Sequence, residues 1–381
     1  MAKLSDICEM VNKKIKLNNQ INKALCDTYV STENMLPNKQ GIIAAGNTPL
    51  KGSITAYRKS DTLVSNIRPY FKKIWYAEIN GGCSNDVLVF RAKQGINSYF
   101  LYYNLADDKF FDYSMKTSKG TKMPRGDKKS IMEYPVKKFD LVTQLKSIIT
   151  LKLIDEKIKL NNAINNNLEQ QARAIFINEF LSLNTPPNGW KQGSLIDIAD
   201  YINGLAMQKH RPSDNEIGIP VLKIKELRQG FFDNNSELCS PNIKSEYIIQ
   251  DGDVIFSWSG SLLVDFWCGG ICGLNQHLFK VTSSKYDKWL YYAWTKHHLD
   301  RFISVAADKA TTMGHIKRDE LAKAEVFIPN ESDYSRIGEL LQPIYDLIIS
   351  NRIENKKLAL LRDTLLPKLM SSELDISNIE I

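Results

Sequence analysis

Residues 151–175 read LKLIDEKIKLNNAINNNLEQQARAI, and residues 341–365 read LQPIYDLIISNRIENKKLALLRDTL. A heptad spacing puts Leu151, Ile154, Ile158, Asn161, Asn165, Leu168, Ala172 and Ile175 on one seam of the first stretch. The same places in the second stretch hold Leu341, Ile344, Ile348, Asn351, Asn355, Leu358, Arg362 and Leu365, with Leu361 beside the charged position. Both stretches predict long helices. Residues 141–181 contain neither glycine nor proline, and Pro343 in the second is expected at a kink or a late helix start. Asparagine occupies the same two places in both seams. A buried asparagine weakens a coiled coil but fixes its register, because only one alignment lets the amides bond each other. The spacing therefore predicts an antiparallel pair in which Asn161, Asn165, Asn351 and Asn355 meet. The competing reading puts them on solvated flanks of two independent helices.

Working outward, the whole chain is a unit written twice at an offset close to 190. Leu4-Ser5-Asp6-Ile7 recurs as Leu195-Ile196-Asp197-Ile198, and Asp61-Thr62-Leu63-Val64-Ser65 as Asp253-Val254-Ile255-Phe256-Ser257. Further on, Ser84-Asn85-Asp86-Val87-Leu88 answers Leu274-Asn275-Gln276-His277-Leu278, Leu101-Tyr102-Tyr103 answers Leu290-Tyr291-Tyr292, and Thr121-Lys122-Met123 answers Thr311-Thr312-Met313. Each half opens with short β-rich runs, turns and helical patterns, then becomes helical throughout. The expected fold is α+β: two similar globular domains (1–140 and 186–330) in a pseudo-two-fold arrangement, joined by two long antiparallel coiled-coil helices (141–185 and 331–372), with a tail at 373–381. A helix of about 40 residues is about 60 Å long, and one turn of B-DNA is about 34 Å. A two-fold pair of domains on such a spacer predicts a bipartite DNA target with an unread gap.

Composition agrees with several domains, since 381 residues, 43% of them hydrophobic, exceed one ordinary core. No apolar run is long enough for a membrane span, and the residues after Met1 lack a secretory block, so a soluble, cytoplasmic protein is expected. Six scattered cysteines (Cys8, Cys26, Cys83, Cys239, Cys268 and Cys272) form no CxxC pair and read as reduced thiols, not as a metal site. The net charge of +7 favours a polyanionic partner.

Duplex DNA is held mainly through its phosphates and read at base edges, so basic clusters in loops are the candidates. Lys116, Lys119, Lys122, Arg125, Lys128 and Lys129 stand against Asp127 alone, and the second half answers with Lys309, His315, Lys317 and Arg318. Arg68, Lys72 and Lys73, interleaved with Tyr70 and Phe71, form a second candidate surface. Lys209, His210, Arg211, Lys223 and Lys225 play that part in the second domain. Arginine suits guanine, and Asn66, Gln208 or Gln276 suits adenine. Some of these are expected to be ordinary solvated charges.

Catalytic readings fail on their motifs. An adenine methyltransferase needs a cofactor-binding glycine loop and an Asn/Asp-Pro-Pro-aromatic motif; Asn184-Thr185-Pro186-Pro187-Asn188 has the wrong order and reads as a linker. There is no GxxxxGK[ST] loop and no nuclease carboxylate set, and His297-His298 reads as helix surface. No catalytic, cofactor-binding or metal-binding residue is assigned. The alternatives are a protein-assembly scaffold built on the coiled coil, or a fused restriction endonuclease.

Several stretches resemble the specificity subunits of type I restriction-modification systems. Tyr29 to Met35, Ser65 to Lys73 and Gly81 to Asp86 resemble one class of target-recognition domain; Asn203 to Lys209, Leu222 to Leu227 and Leu274 to Phe279 resemble another. Leu153 to Phe176 and Asn351 to Met370 look like the two conserved helical regions of that family. The resemblance spans the chain, and it implies a non-catalytic subunit that reads double-stranded DNA. It also implies that the helices dock two adenine methyltransferase subunits and that a motor-nuclease subunit can join. S-adenosylmethionine, ATP and magnesium would belong to those partners, with none bound here. The chain starts almost directly in the first domain and stops soon after the second helix, so any further terminal conserved region is expected to be short or absent.

Overall fold

The computed structural model describes residues 2–17, 27–120, 122–182, 185–233, 235–308, 316 and 318–377. The chain forms two compact units, Met1–Glu156 with Leu358–Ile381, and Lys157–Lys357. Two long helices, α1 (Leu141–Phe176) and α2 (Glu331–Met370), contribute to both.

In the first unit, strands Cys8–Met10, Val87–Ala92, Thr62–Ser65 and Ile74–Tyr76 lie side by side in that order, antiparallel throughout. The second unit repeats the sheet with Asp200–Asn203, Leu278–Thr282, Val254–Ser257 and Leu263–Phe266. The register repeats as well: Thr62 opposes Phe90, and Val254 opposes Val281. Even the entry turn recurs. Leu4–Ile7 and Leu195–Ile198 are single helical turns whose Asp6 and Asp197 carboxylates accept the backbone N–H of Lys3 (2.8 Å) and Ser194 (2.7 Å). Such a bond satisfies a donor that a helix start otherwise leaves open.

A second small sheet, one in each unit, differs between the units at its edge. Its strand Gly81–Cys83 has a parallel neighbour, Tyr29–Val30, and an antiparallel one, Ser53–Tyr57; Cys272–Leu274 has Ile219–Leu222 and Ile248–Ile249 in the same roles. In the first unit Lys14–Lys16 then extends the sheet beside Ser53–Tyr57, whereas in the second Leu238–Cys239 extends it beside Ile219–Leu222. The frame is shared and the elaboration is on opposite sides.

Each unit closes its core with one end of each long helix. Ile148 and Leu151 of α1 and Leu366, Leu369 and Met370 of α2 join Phe90, Phe100 and Phe110 in the first. Ala172 and Phe176 of α1 and Ile337, Leu341, Tyr345 and Ile348 of α2 join Phe256, Trp289 and Phe302 in the second. Every heptad seam position is buried or half-buried. Helix α2 runs unbroken from Glu331, so Pro343 lies in its interior and is not a late start. Gly338 is needed where α2 meets Trp289, because a Cβ there would fall 3.0 Å from the indole Nε1.

The seam charge has a specific partner. Arg362 binds Asp155 of α1 at 2.8 Å, and the Tyr103 hydroxyl donates to the same carboxylate at 2.8 Å. A guanidinium enters a mostly apolar seam only with such compensation. In the second unit Arg352 joins Glu169 of α1 (2.9 Å) and Asp265 of the sheet (2.7 Å), tying both helices to the globular part.

Candidate nucleic-acid interface

In the first unit two basic segments far apart in sequence are joined by backbone. Ile67 and Arg125 form an antiparallel bridge, the Arg68 N–H donates to the Pro124 carbonyl at 2.8 Å, and Gly126 N–H donates to Asn66 O at 3.3 Å. The hairpin 66–73 and the segment 124–126 thus make one surface. The second unit holds the corresponding joint, Ile316 N–H to Trp258 O at 3.0 Å. Both hairpins start at a serine whose hydroxyl donates to a carbonyl within the turn, Ser65 to Ile67 O at 3.1 Å and Ser257 to Ser261 O at 2.9 Å.

Placement sorts the basic residues. Lys116, Lys119, Lys122, Arg125, Lys128 and Lys129 are exposed. Lys119 pairs with Asp127 at 3.3 Å and Arg125 with Asp86 at 3.2 Å, both in solvent, where such pairs are worth at most about 1 kcal/mol and yield readily to a phosphate. Lys72 and Lys73 turn inward instead. Lys72 binds Asp108 at 2.7 Å, and that carboxylate also holds Lys39 at 2.9 Å. Burial opposes the charge of Asp108, yet Lys39 and Lys72 outweigh it and hold the carboxyl below its usual range. Lys73 donates to the Thr32 carbonyl at 2.6 Å, and burial pulls its ammonium below the usual lysine range. These two lysines brace the hairpin and leave the candidate surface. Asn66, expected as an adenine reader, is 7% exposed and sits beneath it.

The hairpin is strained where it turns. Arg68 (φ 50°) and Lys72 (φ 51°) are left-handed on either side of the turn Pro69–Phe71, a conformation costing about 1–2 kcal/mol per non-glycine residue. Backbone bonds from Asn38 to Phe71 O (2.8 Å) and from Lys39 to Lys72 O (3.0 Å) hold it there.

In the second unit Lys209 is exposed. Arg211 (3.5 Å) and Lys223 (2.8 Å) share Glu237, which the Lys223 hydrogen bond holds below its usual range. Lys225 is committed to Asp233 at 2.6 Å. Lys309, His315 and Lys317 lie outside the described residues. Arg318 donates to the Tyr201 carbonyl at 3.1 Å. The structure adds a group that charge counting missed: Trp258 Nε1 donates to Asn203 Oδ1 at 3.1 Å, and Ser259 Oγ lies 3.1 Å from His277 Nδ1, with Gln276 alongside. The repeat was the signal available, since Leu274 to Leu278 answers Ser84 to Leu88.

The seam asparagines meet across the helices. Asn351 donates to Asn165 Oδ1 at 2.9 Å; Asn161 donates to Asn355 Oδ1 at 2.9 Å and to Glu354 at 2.7 Å. As one number falls the other rises, so the pairing is antiparallel.

No cluster of metal-ligating side chains occurs among the described residues. The described cysteines are buried free thiols, and burial raises Cys8 and Cys83 to about 12. His298 lies against Trp294 with Nε2 at 2.8 Å from the Glu325 carbonyl, and burial lowers its pKa to about 4. Among the described residues no helix is long and apolar enough to cross a membrane.

Residues 187–360 match the family described as type I restriction modification DNA specificity domain. Over 312 residues the chain is 24% identical to the type I restriction enzyme MjaIX specificity subunit of Methanocaldococcus jannaschii, covering 75% of this chain and 71% of that one. Over 180 residues it is 25% identical to the EcoBI specificity subunit of Escherichia coli, 46% of this chain and 36% of that one. The crystal structure of the type I restriction-modification system S subunit from M. genitalium shares the fold over 97% of this chain and 95% of that one, with a TM-score of 0.54 at 12% identity. The chain is thus similar, over three quarters of its length, to a type I restriction enzyme specificity subunit, and its residues 187–360 match the type I restriction modification DNA specificity domain.

Proposed function

We propose that this chain is the DNA-specificity subunit of a type I restriction-modification complex and that it performs no chemistry itself. The observation that carries the reading is the repeated recognition surface: each unit docks a late loop on the same strand-end hairpin, Ile67 to Arg125 and Trp258 to Ile316. Exposed lysines and arginines there suit phosphates, and the differing hairpins and sheet edges suit two unlike half-sites. A bipartite, asymmetric target follows. Double-stranded DNA is the ligand, and two adenine methyltransferase subunits, joined in restriction by a motor-nuclease subunit, are the partners that would bring S-adenosylmethionine, ATP and magnesium. The asparagine pairs would set the register of α1 and α2.

The test is the salt dependence of duplex binding by the assembled complex. Affinity that falls steeply with salt, and that is higher for the target than for an unrelated duplex at the same salt, supports the reading. A shallow slope with no sequence preference would support a protein scaffold instead.

A further inference from the structure

The first unit carries a feature that the second lacks. Its hairpin spans 66–73, eight residues between strands, whereas 258–262 provides five. The extra length carries Tyr70 and Phe71, which are 48% and 37% exposed and contact each other with ring centroids 4.6 Å apart. The aromatic residue of the shorter hairpin is turned onto its own domain, with Trp258 stacked on Phe279 at 5.5 Å. In the first unit the aromatic pair is exposed on a turn flanked by left-handed residues, with Lys73 Nζ 5.8 Å from the Phe71 ring centroid. Beside the pair, Arg68 is half-buried and, among the described residues, its guanidinium has no hydrogen-bond or ion-pair partner; its Nε is fully buried. Lys116, at the end of the helix Asp108–Lys116, and Lys122, on the loop joined to this hairpin, are exposed, and neither has an ion pair or hydrogen bond among the described residues. An exposed aromatic tip next to Arg68, on a hairpin joined by backbone to a lysine-rich loop, is complementary to a polyanion with apolar groups inside a groove, and not to an ordinary apolar protein surface.

We propose that Tyr70 and Phe71 form a preorganised probe that seats against a thymine 5-methyl group in the major groove of the first half-site, with Arg68 free for a neighbouring base or phosphate acceptor. The major groove is where that methyl is displayed, and apolar side chains recognise it by contact. Preorganisation fits the strained turn, since a rigid probe loses little freedom on binding. This inference rests on the DNA-specificity reading and names which residues carry part of it.

The experiment uses the complex assembled with its methyltransferase subunits and a set of target duplexes in which each thymine is replaced singly by deoxyuridine. That change removes one methyl group and leaves base pairing intact. One position, in one half-site, is expected to lose about fourfold in affinity, the worth of a buried methyl. The double variant Tyr70→Ala, Phe71→Ala should bind the unmodified target more weakly and should no longer distinguish thymine from deoxyuridine at that position. Retention of the full discrimination by the variant, or no sensitive position in wild type, overturns the probe while leaving specific binding intact. Absence of any sequence preference in wild type would instead overturn the DNA-specificity reading. Both side chains are exposed, and unchanged thermal unfolding of the variant confirms that the fold is retained.

Discussion

At the scale of single residues, Asn165 and Asn351 show how a polar pair survives in a seam. Each is nearly buried, and their amides bond at 2.9 Å. Changing Asn165 alone to Leu leaves the Asn351 amide buried without that partner, which costs about 1–3 kcal/mol. Changing both to Leu should recover most of this loss, and a double-mutant cycle by denaturant unfolding checks it; additive losses would mean that the pair is not coupled. At the DNA surface, Lys122→Ala with Arg125→Ala is expected to weaken the first half-site only and to lower the salt slope by about 2. Binding to half-site variants over a salt series measures this, and equal loss at both halves would remove these residues from the first reader. The sequence offers the basic residues as a set of candidates, but it does not sort them. Lys72 finds Asp108 36 positions away and Arg125 finds Asp86 39 away, so only the folded chain separates a brace from a free cation.

At the scale of elements, the long helices were legible because a 3.5-residue repeat is a local signal, and both asparagine positions follow from it. The interior placement of Pro343 was not, because Leu341, Tyr345 and Ile348 pack on the second unit's core and hold the helix through the lost hydrogen bond. The edge strands were illegible for a similar reason: Lys14–Lys16 and Leu238–Cys239 are two or three residues long, too short for an alternating pattern. His298 gives the elements at its site a pH signature. Burial lowers its pKa from 6.5 to about 4, so the unfolded chain takes up a proton in a range where the folded chain resists it. Its contribution to stability is complete above pH 6.5 and falls as the pH drops through that value toward 4. A His298→Gln variant should show a flatter decline in unfolding midpoint over this interval. An identical decline would show that His298 does not titrate as its surroundings imply.

At the scale of the whole molecule, the internal repeat made the two-domain plan readable, since order and spacing persist where identity does not. What each domain reads was not readable, because the same frame carries an eight-residue hairpin in one unit and five residues in the other. If α1 and α2 act as a ruler, inserting one heptad into α1 between Asp155 and Asn161, with α2 unchanged, should break the complex or change the gap between half-sites. A target of unaltered length and affinity would end the ruler idea. The central claim, that this chain selects the DNA sequence on which a partner acts, is tested most directly by single-molecule sequencing of adenine methylation in cells with and without the gene, the methyltransferase partner being present in both. The account predicts a split, asymmetric methylated motif that disappears with the gene. An unchanged methylation pattern, with the partner expressed and active, would contradict it.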